Sequence, residues 1–136
     1  MANKLTNGLT PVETVIMDCL WQLGAGTVKQ VQEMLEPVRP LAYNSVLTMM
    51  RILRDKGFLQ SRRSGRSDIY RPLVTREQVG RRSLNDVTQK FFEGSARLVV
   101  SQLLARKGIT REEMEAIRRE VNASLAAEKA GDGEEQ

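Results

Sequence analysis

The hydrophobic period of this chain changes from helical to extended at Gly57, and that change limits the folds open to it. Before Gly57 apolar residues recur every three or four positions, the spacing of helices; after it Phe58-Leu59-Gln60-Ser61-Arg62-Arg63 and Asp68-Ile69-Tyr70-Arg71-Pro72-Leu73 read as two extended segments around a Ser64-Gly65-Arg66-Ser67 turn. Pro72 places the second strand at an edge or at its own end.

Upstream, punctuation divides the helical sequence into three. Thr10-Pro11-Val12-Glu13 combines a cap, a proline at the first helical position and a capping-box glutamate, with Val12, Ile16, Cys19, Leu20 and Leu23 on one face and Gly24 as the stop. Thr27 caps a second helix faced by Val28, Val31, Met34 and Leu35, which the Pro37 to Pro40 segment ends. A third runs from about Ala42 to Lys56, with Val46, Met49, Met50 and Leu53 apolar and Gly57 as its terminator.

Three short helices and a hairpin, in that order, make a winged helix-turn-helix. The fold class expected is therefore mostly α with a small β-hairpin: a winged-helix DNA-binding domain over residues 9–74, followed by a C-terminal helical dimerisation region over 75–128. The second region opens on a Thr75 to Gln78 capping box, with interruptions expected near Gly80 and Gly94 and a stop at Gly108. Thr110 to Glu113 forms a third box, and a solvated, disordered tail is expected over 129–136. Its apolar positions include Leu84, Val87, Phe91, Leu98, Val99, Leu103, Leu104, Met114, Ile117, Val121 and Leu125. Those stripes need a cover, and a second copy supplies one. Phe91, Leu98, Val99, Leu103, Ile117 and Val121 are the candidate dimer residues, and Phe91 and Phe92 suit a seam better than a ligand site.

Charge follows the same division. Residues 1–75 hold ten basic and six acidic side chains and the rest eleven of each sign, so the formal excess of +4 belongs to the first part, mostly between Arg51 and Arg71. Arg62, Arg63 and Arg66 surround the small-residue turn at the wing position, where phosphate contact competes with the plain reading of a solvated face. On the third helix Asn44, Ser45, Thr48 and Arg51, with Tyr43 near its start, lie opposite the apolar face. Asparagine suits adenine, arginine guanine, and serine or threonine a base edge or phosphate, and capping or surface roles are equally open from spacing alone.

Composition excludes several functions. With no histidine, one cysteine, no glycine-rich phosphate loop and no nucleophile–base pair, neither a catalytic site, a metal site nor a cofactor is expected. Cys19, on an apolar face, is read as core packing in a reducing compartment. No stretch approaches the roughly 18 apolar residues of a membrane span, and Met1 to Thr10 has no apolar targeting core, so no membrane insertion and a cytoplasmic location are expected.

Leu9-Thr10-Pro11-Val12-Glu13 with Val15-Ile16-Met17-Asp18 and Leu20-Trp21, the run Leu41 to Leu53, and Lys56-Gly57-Phe58-Leu59 resemble the penicillinase-repressor family over about residues 9–121. The resemblance implies a homodimeric winged-helix repressor on a palindromic operator in double-stranded DNA. It makes Asn44, Ser45, Thr48 and Arg51 groove residues and Arg62, Arg63 and Arg66 wing contacts. Two features depart from the family pattern. Gln102-Leu103 stands where antibiotic-responsive members are cut at an Asn-Phe bond, which puts that trigger in doubt and leaves a protease or sensor-receptor partner open. The C-terminal cysteine cluster of copper-responsive relatives is missing. A winged helix that grips another protein, as an adaptor, is the competing function; binding that weakens steeply with salt separates the two.

Overall fold

In the computed structural model, which describes residues 8–134, local signals set most element boundaries. Helix α1 (Pro11–Leu23) starts at a full capping box: the Glu13 N–H donates to the Thr10 hydroxyl at 3.2 Å while the Glu13 carboxylate accepts the Thr10 N–H at 2.9 Å. Helix α2 (Val28–Leu35) has the same arrangement between Thr27 and Gln30. Helix α3 (Tyr43–Asp55) follows Ala42, whose side chain offers no cap. Strands β1 (Leu59–Ser64) and β2 (Ser67–Pro72) pair antiparallel in the register Leu59↔Pro72 to Ser64↔Ser67. The turn between them is Gly65-Arg66. Gly65 has φ +63° and Arg66 is not in the left-handed region, the pattern of a type II′ turn, which needs glycine at its first central position.

The hairpin is fastened to the helices through Gly26. Its N–H donates to the Tyr70 carbonyl at 2.9 Å and its carbonyl accepts the Tyr70 N–H at 2.8 Å, so the α1–α2 connection lies along β2 as a one-residue third strand. A Cβ at position 26 would lie 2.9 Å from Leu23 Cδ1, so the Leu23 side chain would have to shift to admit one.

One core fills the space between α1, α2, α3 and the hairpin. Ile16, Met17 and Leu20 from α1, Val31 and Leu35 from α2, Val46, Met50 and Leu53 from α3, and Leu59 and Tyr70 from the strands are fully buried. Cys19 packs in the same cluster; burial, and next the neighbouring Asp18 carboxylate, push its thiol pKa up. Met34 and Met49, expected on the apolar faces, are only partly covered. Glu13 is the one buried charged residue among those described, and Lys56 Nζ meets its carboxylate at 2.9 Å.

Helix α4 (Arg76–Phe91) opens on the Thr75–Gln78 capping box. Gly80 does not interrupt it: a glycine inside a helix costs about 1 kcal/mol, too little to break one capped at its start. The expected break at Gly94 is present, with Glu93 and Gly94 both at positive φ. The chain divides here into two compact units, the first ending at Gly94 and the second beginning at Ser95.

The second unit consists of α5 (Ala96–Ala105), capped by Ser95, and α6 (Arg111–Glu134). The Thr110 box forms only its hydroxyl half among the described residues, Glu113 N–H donating to Thr110 Oγ1 at 3.1 Å. Helix α6 also runs past Lys129 to Glu134, where a solvated tail over 129–136 was expected. Ala126, Ala127, Glu128, Lys129 and Ala130 are strong helix formers, and extending an existing helix needs only one residue fixed per added bond. The last two positions of that expected tail lie outside the described residues.

Candidate nucleic-acid interface

The three residues that fasten α3 to the core, Val46, Met50 and Leu53, sit four and three positions apart and hold one side of the helix inward. Asn44, Thr48 and Arg51 repeat the same spacing on the opposite side and are exposed. Ser45 is exposed on one flank of that face, and Tyr43, Leu47 and Arg51 form the other. The outward face thus carries an amide, a hydroxyl and a guanidinium in a row, with no apolar group between them.

The flank bearing Tyr43, Leu47 and Arg51 borders a groove whose other walls are Thr27, Val28 and Lys29 at the start of α2 and Arg63, Arg66, Ser67 and Asp68 of the hairpin, with Tyr70 among its lining. Four of the expected contacts, Tyr43, Arg51, Arg63 and Arg66, therefore meet around one concavity although they come from separate elements. Lys29, which the sequence reading counted as a charge but did not assign, joins them. A cation in the first turn after a helix cap was the available signal. Against Lys29, Arg51, Arg63 and Arg66 the groove sets one acid, Asp68, 3.5 Å from Arg63 Nη1. Exposed pairs of this kind contribute little, so the groove keeps a cationic surplus suited to a phosphodiester.

Arg62 takes a different place. In a strand alternate side chains leave opposite faces, so Arg63 shares a face with Leu59 and Ser61 while Arg62 shares the other with Gln60. Arg62 lines a separate outer hollow with Ala25, Gln60, Ile69 and Arg71, where Arg71 Nη2 donates to Gln60 Oε1 at 2.6 Å. The sequence reading grouped the three arginines; the period of two could already have divided them.

None of the expected dimer residues is buried. Phe91 on α4 is 75% exposed, Leu103 on α5 and Val121 on α6 are exposed, and Leu98, Val99 and Ile117 are half-buried. Neither α4 nor α5 buries a single residue. Among the described residues no helix is long and apolar enough to cross a membrane, and no group of His, Cys, Asp or Glu has the arrangement of a metal site.

Known proteins similar to this chain identify its family. The family model described as "Penicillinase repressor" matches residues 9–123. The transcriptional regulator BlaI of Mycobacterium tuberculosis is 33% identical over 132 residues, covering 96% of this chain and 91% of the relative. Among solved structures, hsRosR-S4 in a complex superposes with a TM-score of 0.51 at 20% identity, covering 92% of this chain and 99% of that one, a likeness of fold. The DNA-binding domain of the repressor BlaI gives a TM-score of 0.48 at 21% identity, over 52% of this chain and 87% of that one. Family model, relative and architecture converge: the chain belongs to the penicillinase repressor family, and is a winged-helix, DNA-binding transcriptional repressor rather than an enzyme.

Proposed function

We propose that this repressor acts as a homodimer on a palindromic operator, with residues 9–74 binding DNA and residues 75–128 dimerising. The observation that carries the reading is the groove in which Lys29, Arg51, Arg63 and Arg66 gather beside the outward face of α3. Asn44, Thr48 and Arg51 are aligned for base edges in a major groove, with Ser45 and Tyr43 at the flanks. Arg63 and Arg66 neutralise backbone phosphates, and Arg62, on the outer face of the hairpin, contributes least. The apolar residues of α4, α5 and α6 that keep solvent contact support the dimer: a second copy would cover Phe91, Leu98, Val99, Leu103, Ile117 and Val121. A sensor-receptor or protease system that releases the repressor would act on a bond other than Asn-Phe, because Gln102-Leu103 stands at that place.

The test is selection of bound sequences from a random duplex pool, followed by titration of the winner across salt. A two-fold symmetric site is expected. Arg63→Ala with Arg66→Ala should lower the slope of log affinity against log salt by about two, and Arg62→Ala should leave it nearly unchanged. No enriched sequence and a flat salt response would overturn the reading in favour of an adaptor that grips protein.

A further inference from the structure

The chain leaves the hairpin at Val74 and enters α4 two residues later, and α1 holds that short passage from the side. Trp21, the single tryptophan, donates its indole Nε1–H to the Val74 carbonyl at 2.9 Å. One turn back on the same side of α1 is Asp18, whose Oδ1 lies 2.8 Å from Arg76 Nη1, in charge contact without the alignment of a hydrogen bond. Arg76, the first residue of α4, also lays its guanidinium over the Trp21 ring, 4.9 Å from the centroid. Val79 adds partial packing against the core one turn further on. Beyond that first turn α4 exposes Leu84, Val87 and Phe91.

The ion pair among these contacts is a poor stability element. The Arg76 side chain is 59% exposed and that of Asp18 36%, and ion pairs so wet contribute little to folding. Together the contacts hold the passage from β2 into α4 at two points: the Val74 carbonyl, on the Trp21 indole, and the Arg76 guanidinium, between the Asp18 carboxylate and the Trp21 ring. A helix of 16 residues is about 24 Å long, so a tilt of about 10° at its root displaces its far end by about 4 Å. That exceeds the rise of one base pair, about 3.4 Å, in a duplex whose half-sites must match the separation of two recognition helices.

We infer that Trp21, Arg76 and Asp18 are positioning residues that set the exit angle of α4 from the winged helix and so fix the half-site spacing the repressor accepts. The inference rests on the dimeric reading above and adds to it a determinant of operator geometry that touches neither DNA nor the dimer seam.

The experiment uses the full chain, with Arg76→Met and Trp21→Phe as separate variants. Three kinds of duplex are titrated: the selected symmetric site, the same site with one or two base pairs inserted or removed between the half-sites, and an isolated half-site. The unaltered repressor should lose about ten-fold or more in affinity when the spacing changes, because the second half-site then ceases to add its effective concentration. Each variant should narrow that loss to within about three-fold while half-site affinity and salt slope stay at the original values. A full spacing penalty in Arg76→Met overturns the inference, as does a half-site affinity that falls in parallel with the full site, which assigns the contacts to holding the winged helix itself. An unaltered repressor that binds one half-site as tightly as two removes the dimer, and the inference with it, before any substitution is read. Arg76→Met, altered outside the core, keeps the test decisive if Trp21→Phe fails to fold.

Discussion

The winged helix and the helices after it draw on the same apolar residue types and end in opposite conditions. From α1 to β2, Ile16, Leu20, Leu35, Met50 and Leu59 are sealed by one another. From α4 to α6, Leu84, Phe91, Leu103, Val121 and Leu125 stay in contact with water. Apolar stripes run through both, so such a stripe by itself does not produce a core; in the winged helix the Gly26–Tyr70 bridge and the hairpin also bring the elements back on one another. The first region buries its apolar residues within one chain, and the second leaves them exposed.

Substitutions at matched residues test that contrast. Leu20→Ala removes a fully buried side chain and should destabilise the winged helix by about 2–5 kcal/mol, read from chemical denaturation. Phe91→Ala and Leu125→Ala should change unfolding of dilute protein by less than about 0.5 kcal/mol, yet lower the concentration-dependent gain in stability that self-association brings. Equal losses from Leu20→Ala and Leu125→Ala in dilute protein would erase the contrast.

Glu13 sharpens it at the boundary of α1. Its carboxylate serves both the Thr10 cap and Lys56, so Glu13→Ala should cost about 2 kcal/mol, and Glu13→Gln, which keeps the capping acceptor but loses the charge, should recover about half. Tyr70 tests how far burial outweighs polarity: its hydroxyl is buried without a hydrogen-bond partner among the described residues. Tyr70→Phe is therefore expected to be neutral or stabilising by up to about 1 kcal/mol in thermal melts. The smallest effect is at Cys19. Burial disfavours its thiolate, so the folded pKa is raised; stability from the neutral thiol is complete below the ordinary thiol value and is lost as pH rises toward the raised one. Alkylation at mildly alkaline pH should accordingly be far slower in the folded chain than in denaturant, by mass spectrometry.

Much of the winged helix was legible because its signals are short-range. Thr10 with Glu13 and Thr75 with Gln78 are capping boxes within four residues, and Gly57 and Gly65 mark a helix end and a turn whose backbone other residues resist. Of the candidate site, the outward face of α3 was legible from helical spacing. The groove was not, because Lys29, Arg51 and Arg66 come from three elements whose approach no local pattern encodes.

What the sequence determined by itself was therefore the order and kind of elements, the side of each that avoids water, and the concentration of positive charge between Arg51 and Arg71. The tertiary structure alone decided which distant groups meet: Lys56 with Glu13, 43 residues apart, Trp21 with Val74, 53 apart, and Arg63 turned into the groove while Arg62 turns away. Caps and periods are fixed by neighbours along the chain, whereas these meetings depend on how α1, α3 and the hairpin pack. That packing is set by the summed burial of many side chains and is written in no single one of them.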